Sequence, residues 1–342
     1  VETTLIKINS TDETEKLLFA AEILRRGGLV AIPTETVYGL AANALDASAV
    51  RGIFRAKGRP ADNPLIVHIA SFEELGPLVS SVPEKAVKLA RAFWPGPLTM
   101  VLPKSDLVPG EVTCGLPSVA VRMPSHPIAN AVIRAAGAPL AAPSANASGK
   151  PSPTAAAHVL HDLSGKIDAV VDGGPCDVGV ESTVITLCTE IPTVLRPGGV
   201  TVRQLREIIG QVDVHPSVFK ELEGGAKPAS PGMKYRHYSP SADITVVRGG
   251  LDAFAEYVRD HQSASCAVLC FDGEERRFGC ETFTYGKKDD PKSQARRLYG
   301  ALRQIDESDV KRVFARCPDP VAAQAVYNRL LRAAGFKIQI LE

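Results

Sequence analysis

Leu29-Val-Ala-Ile-Pro33-Thr-Glu-Thr-Val-Tyr-Gly-Leu40 decides how this chain is read. Leu29 to Pro33 is an apolar run too short for a helix, and it reads as a buried strand. Thr34 to Leu40 adds hydroxyls and a Gly directly after it. A polar βα turn of this kind is where α/β proteins place ligands. A simple capping turn, with Thr34 or Thr36 as the cap, would look the same.

Outward from this stretch the pattern stays α/β. Thr11 or Asp12 is expected to cap a helix running through Arg26, with Leu17, Leu18, Ala21 and Leu24 on one face and Gly27-Gly28 as the stop. Further helices are predicted at 47–56, 71–79, 83–93, 126–136 and 202–209, and one at 153–163 with Pro153 at its start. Strands are predicted at 65–70, 98–102, 118–122, 139–142, 167–172, 182–188 and 192–196. Alternation is not strict, so the expectation is a twisted, open, mixed sheet.

The stretch 215–241 is rich in Pro and Gly and reads as a linker. It contains Lys234-Tyr-Arg-His-Tyr-Ser239, too polar and aromatic for a spacer, which suggests a segment that docks on a site. From 242 onward strands and helices alternate almost regularly, and a small parallel sheet with helices on both faces is expected. No Gly-x-Gly-x-x-Gly follows its first strand. The expected division is 1–212, a linker at 213–241, and 242–342.

Length and charge narrow the function. The chain has 342 residues, enough for about two domains. With 39 Lys plus Arg against 38 Asp plus Glu, it is not a globally basic nucleic-acid coat. No apolar run is long enough to span a membrane, and no signal-like layout is read at Val1-Glu2-Thr3. Seven scattered Cys point to a reducing cytoplasm. Cys266 and Cys270 fit one face of a buried strand better than a metal site, and His158 and His161 fit a solvated helix face.

Two further clusters carry chemistry. Lys57-Gly-Arg59-Pro60 holds two cations two residues apart, which in an extended segment would share one side and face a polyanion. Favourable placement near a helix C-terminus is the alternative. Pro143-Ser-Ala-Asn146 ends a buried strand and offers neutral donors and acceptors. His68, mid-strand in an apolar run, reads on its own as a core His. No general base lies near Ser144 in sequence, so a covalent nucleophile is not expected. The pattern suits catalysis by positioning and charge stabilisation on a phosphorylated ligand.

Taken in order, Pro33-Thr-Glu-Thr-Val-Tyr-Gly-Leu40, Lys57-Gly-Arg59-Pro60, Asn63-Pro-Leu65, Pro95-Gly-Pro97-Leu-Thr99, Val121-Arg122, Pro143-Ser-Ala-Asn146, Ser182-Thr183-Val184 and Arg196-Pro-Gly198 resemble the threonylcarbamoyl-AMP synthase (YrdC) family. Ser230 to Pro240 and the region after it resemble its longer form with a Rossmann-like C-terminal domain. The resemblance implies that L-threonine, bicarbonate or CO2, and ATP yield threonylcarbamoyl-AMP and pyrophosphate. A separate transferase would then modify tRNA beside the anticodon. It further implies Lys57 and Arg59 as catalytic residues. ATP would be held by Lys57, Asn63, Ser118, Ser144, Asn146, Ser152, Arg196, Tyr235 and His237. L-Threonine would be held by Thr34, His68, Arg122, Ala142 and Ser182. Mg2+ is expected on the phosphates, with no metal held by the protein alone. Direct tRNA contact is not required. The alternatives are an RNA-binding protein and a carbamoyl transferase of the hydrogenase-maturation type.

Overall fold

A computed structural model describes residues 2–220 and 239–341. Among them two compact units separate. One takes 2–148, 153–177 and 181–220, and the other 149–152, 178–180 and 239–341. Most of the expected linker, Tyr235 and His237 included, lies outside the described residues.

The first unit is built on β1 (Thr4–Lys7), β2 (Val30–Ile32), β3 (Gly39–Asn43), β4 (Ile66–His68), β5 (Leu98–Pro103), β6 (Ser118–Arg122), β7 (Leu140–Ala141), β8 (Ala169–Asp172), β9 (Thr183–Thr186), β10 (Thr193–Arg196) and β11 (Asp213–Val214). They form one sheet in the order β1-β8-β2-β3-β7-β4-β6-β5-β9-β10-β11. Parallel pairs such as β4 with β6 mix with antiparallel ones such as β5 with β6. β3 was not expected as a strand. It turns back from the 33–38 loop to pair antiparallel with β2.

Alternation buries both faces. Val30 and Ile32 join one apolar cluster while Ala31 between them joins another. On the first face the helix Thr14–Arg25 packs on the helix Pro127–Ala136 through Leu17, Ala21 and Leu24 against Val132 and Ile133. On the second, Val50, Ile53 and Phe54 of the helix Ala47–Lys57 pack with Leu89 and Val159. Asp46 starts that helix by accepting the amides of Ser48 and Ala49 at 2.8 and 3.2 Å.

Two helix starts differ from expectation. The first helix begins at Thr14, because Glu13 takes the amides of Asn9 and Ser10 and Thr11–Asp12 stay in a turn. The helix expected from Pro153 begins at Ala156, because the Pro153 carbonyl is spent on the Tyr38 amide at 2.8 Å.

The second unit contains β12 (Asp243–Arg248), β13 (Cys266–Cys270), β14 (Glu281–Thr284), β15 (Arg312–Arg316) and β16 (Ile338–Ile340). All pairs are parallel, in the order β14-β13-β15-β12-β16. The step β12 to β13 moves one way along the sheet, and β14 to β15 and β15 to β16 move the other. Right-handed crossovers therefore place the helix Leu251–His261 on one face, and the helices Pro291–Glu307 and Gln324–Ala333 on the other. The latter two pack on each other. Expected alternation breaks once: β13 reaches β14 through the short turn Glu275–Arg277, with no crossover helix. Cys266, Val268 and Cys270 share one apolar cluster, as alternate residues of a strand should. No helix among the described residues is long and apolar enough to cross a membrane.

Candidate active site

Sheet register assembles residues that are far apart in sequence. His68 of β4 is the partner of Arg122 on β6, and Arg122 is the partner of Thr99 on β5. Partners in register point to one face, so the three form a row across the sheet. Ser182, just ahead of β9, extends it: its Oγ lies 2.8 Å from Thr99 Oγ1. Arg196 of β10 clamps Ser182, its Nε donating to the carbonyl at 3.1 Å and its Nη2 to Oγ at 3.2 Å.

The turn between β2 and β3 meets this row. Thr34 Oγ1 donates to the Val37 carbonyl at 2.6 Å and accepts the Thr36 amide at 3.2 Å, which closes the turn on itself. Arg122 Nη1 donates to Thr36 Oγ1 at 2.9 Å, and Nη2 pairs with Glu35 Oε1 at 2.7 Å. Tyr38 anchors the far end through its hydroxyl, which donates to the Gly174 carbonyl at 2.7 Å. Gly39 leaves little room for a side chain: a Cβ there would stand 3.3 Å from Ala142 Cβ. Ala142 itself donates its amide to the Ile66 carbonyl at 2.9 Å.

The electrostatics of this region are set by burial. His68 is pushed down to about 3 by burial and then by the Arg122 charge, so it is neutral near pH 7. Its Nδ1 lies 3.1 Å from the Ile66 carbonyl, which can only accept, so Nδ1 carries the ring proton. Burial alone would raise Glu35. The Arg122 charge and the hydrogen bonds it receives outweigh this and hold it below the ordinary carboxylate range.

A second cluster forms beside the cationic turn. Lys57 is the last residue of its helix, and Gly58 ends that helix at φ 61°, a left-handed conformation that suits Gly. Residues 57–59 are therefore not extended, so strand geometry does not set the two cations side by side as the sequence suggested. Lys57 instead turns inward and donates Nζ to the main-chain carbonyls of Ser144 and Asn146. The Ser148 amide returns a bond to the Lys57 carbonyl at 2.9 Å. Ser144 Oγ donates to Asn146 Oδ1 at 2.5 Å, and Asn146 Nδ2 to the Ala147 carbonyl at 2.8 Å. The Lys-x-Arg and Ser-x-Asn segments thus form one unit. Burial first, and Arg59 next, hold the Lys57 amine well below its ordinary value. Arg59 Nη2 donates to the carbonyls of Asn63 and Pro64 at 3.0 and 3.2 Å, fixing the turn that buries Asn63.

Thus Thr34, His68, Arg122 and Ser182 converge with Arg196, and Lys57 converges with Ser144 and Asn146. Ser118 lies at the opposite end of β6 from Arg122, about 13 Å along the strand. Ser152 is buried in the 149–152 stretch of the second unit. Three residues of the row and the turn that meets it escaped sequence reasoning as site members: Glu35, Thr36 and Thr99. Glu35 and Thr36 stand in the decisive turn, but a Glu between threonines in a turn carries no signal of burial.

Comparison with known proteins shows the family. The Sua5/YciO/YrdC family model, described as "Telomere recombination", matches residues 22–198. The chain belongs to that family. A second model, the threonylcarbamoyl-AMP synthase C-terminal domain, matches residues 200–335, which places the chain among the two-domain members. It is 47% identical to the threonylcarbamoyl-AMP synthase of Pyrococcus abyssi, over 98% of this chain and 99% of that one. It is 46% identical to the Bacillus subtilis synthase, over 97% of each. The crystal structure of P. abyssi Sua5 complexed with L-threonine matches with a TM-score of 0.90 at 45% identity, covering 99% of this chain and 100% of that one.

Proposed function

We infer that this protein is an L-threonylcarbamoyladenylate synthase, which joins L-threonine, bicarbonate or CO2, and ATP into threonylcarbamoyl-AMP and pyrophosphate for tRNA modification. The full-length relationship to synthases at 46–47% identity carries this reading. The reaction itself dictates the site. A neutral threonine amine attacks CO2, supplied directly or by loss of water from bicarbonate, and releases a proton, giving a carbamate. A carbamate oxygen then forms a bond to the α-phosphorus as the bond to pyrophosphate breaks. Both partners are anions, so cations must offset their repulsion, and in-line geometry must be held.

In this proposal Arg122 takes the threonine carboxylate, and Thr34, Ser182 and neutral His68 take polar edges of the substrate. Ala142 leaves room beside them. Lys57, Arg59, Asn63, Ser118, Ser144, Asn146, Ser152 and Arg196 serve the nucleotide, as do Tyr235 and His237. Lys57 gains most from a triphosphate, since added negative charge stabilises its protonated form. ATP enters as its magnesium complex, with the ion held by phosphate oxygens and water. Product passes to a separate tRNA-modifying transferase in the cytoplasm. The test is pyrophosphate release with threonine or bicarbonate omitted: dependence on both is expected, and equal release without threonine overturns the reading. Serine should be used less well, since losing one methyl contact costs about 1–3 kcal/mol.

A further inference from the structure

We propose that Glu35 binds the α-ammonium of the amino-acid substrate, so that the Arg122–Glu35 pair selects a zwitterion over any other small carboxylate. This rests on the threonine subsite assigned above and adds to it a group from the turn that carries Thr34.

The argument starts from placement. Glu35 is 6% exposed, and its Oε1 lies 2.7 Å from Arg122 Nη2. A carboxylate docking on Arg122 therefore arrives beside another carboxylate in a region nearly stripped of water. Like charges at such distances repel strongly when water is absent. An α-amino acid resolves the conflict, because its ammonium and carboxylate hang from one carbon. Adjacent opposite charges on the ligand meet adjacent opposite charges on the protein. A hydroxy acid of the same shape brings the carboxylate without the cation and is rejected.

Of the residues in the row and in the 34–38 turn, Glu35 carries the negative charge. Lys57 and Arg59 are cations, and His68 is neutral. Thr34 and Thr36, on either side of Glu35, contribute neutral hydroxyls, which cannot balance an ammonium charge. Glu35 is also held below the ordinary carboxylate range, so it is a poor acceptor for the ammonium proton. That proton leaves to bicarbonate or solvent, in keeping with a binding role. Once the carbamate forms, attraction to Glu35 becomes repulsion, which favours movement of the new anion away from Glu35.

The test compares L-threonine with 2,3-dihydroxybutanoate, in which hydroxyl replaces the amine, in the full-length protein. Pyrophosphate release gives the KM for threonine, and competition gives the Ki of the hydroxy acid. The wild type is expected to prefer threonine by about 100-fold or more. Glu35→Gln should raise the threonine KM by about 10–100-fold, the range for a hydrogen bond to a charged group. The Ki of the hydroxy acid should hold or tighten, and the KM for ATP should stay within about twofold. Equal weakening of both ligands would mean that Glu35 only props up Arg122, and the proposal fails. If Glu35→Gln does not fold, the wild type still decides: a hydroxy acid bound as tightly as threonine overturns the proposal. Absence of threonine-dependent release in the wild type, by contrast, overturns the functional reading itself.

Discussion

Each unit of the molecule buries one Arg–Glu pair worth setting against the other. In the second unit, Arg316 forks onto Glu274: Nε donates to Oε2 at 3.0 Å and Nη2 to Oε1 at 3.1 Å. Nη1 takes the Gly249 carbonyl at 2.8 Å, and the rings of Phe254 and Phe271 lie 5.3 and 5.6 Å from the guanidinium carbon. In the first unit, Arg122 meets one oxygen of Glu35, a hydroxyl, and the Gly96 carbonyl at a long 3.4 Å. Residue types and burial are the same, yet the uses differ. A forked pair covered by rings serves structure, whereas a single-contact pair flanked by hydroxyls is suited to a ligand. Burial of an ion pair therefore does not mark a site; how the pair is completed does.

The largest expected effect breaks the structural pair. Arg316→Met strands Glu274 in the interior and should cost about 3–5 kcal/mol, measured by urea unfolding. Adding Glu274→Leu should return most of it; no recovery would show that the pair is not the source. Arg122→Met should cost less stability, because Arg122 meets one oxygen of Glu35 where Arg316 grips both of Glu274, but it should abolish threonine-dependent turnover. Second in size is Lys57→Met, expected to lower turnover by about 10²–10³. Wild-type turnover by that variant would remove Lys57 from the machinery.

Two smaller effects concern protons. His68 is held near 3 in the fold against about 6.5 unfolded, so between those values the unfolded chain binds the extra proton. Stability should therefore fall with acidification in that window, by at most about 1.4 kcal/mol per pH unit from this residue. Glu35 acts in the same direction, because its lowered value makes its contribution vanish as pH drops through it. His68→Gln should flatten the slope between pH 4 and 6; an unchanged slope would assign it elsewhere. Because burial holds the Lys57 amine below its ordinary value, the negative charge of ATP should favour its protonated form. Calorimetric heats should then depend more on the buffer's ionisation enthalpy in the wild type than in Lys57→Met.

The strands that could be read in advance are those whose side chains are branched and continuous, such as 98–102 and 118–122. β3 escaped because Gly-Leu-Ala-Ala-Asn is poor in strand formers, and pairing with β2 and β7 overrides propensity. β14, Glu-Thr-Phe-Thr, is short, polar on one side and at the sheet edge. The residue types of the site were legible in clusters; the structure brings Thr34, His68, Arg122 and Ser182 together and sets Lys57 beside Ser144 and Asn146, while Ser118 stands apart on β6. What sequence spacing could not supply was direction. Lys57 points inward because the helix runs one residue longer than its apolar pattern, and Gly58 then turns the chain. Glu35 was invisible for a related reason: its partner lies 87 positions away and is brought to it by sheet register, not by local chemistry.

The two-residue strand β7 has a consequence in time. Leu140 and Ala141 join the β1-β8-β2-β3 side of the sheet to the β4 side, through pairs with Ala42, Asn43, Val67 and His68. β3 and β4 both leave the ribosome before β7 exists, and β1 must wait for residues 169–172. At about 5–20 residues per second, β3 stands with one edge open for about 5–20 s of synthesis. A nascent chain of about 125 residues thus presents the β2-β3 hairpin and the β4-β6-β5 set as separate pieces, with strand edges ready to pair with the wrong neighbour. The site, whose halves are seamed by this one short strand, is among the last features of the first unit to be completed.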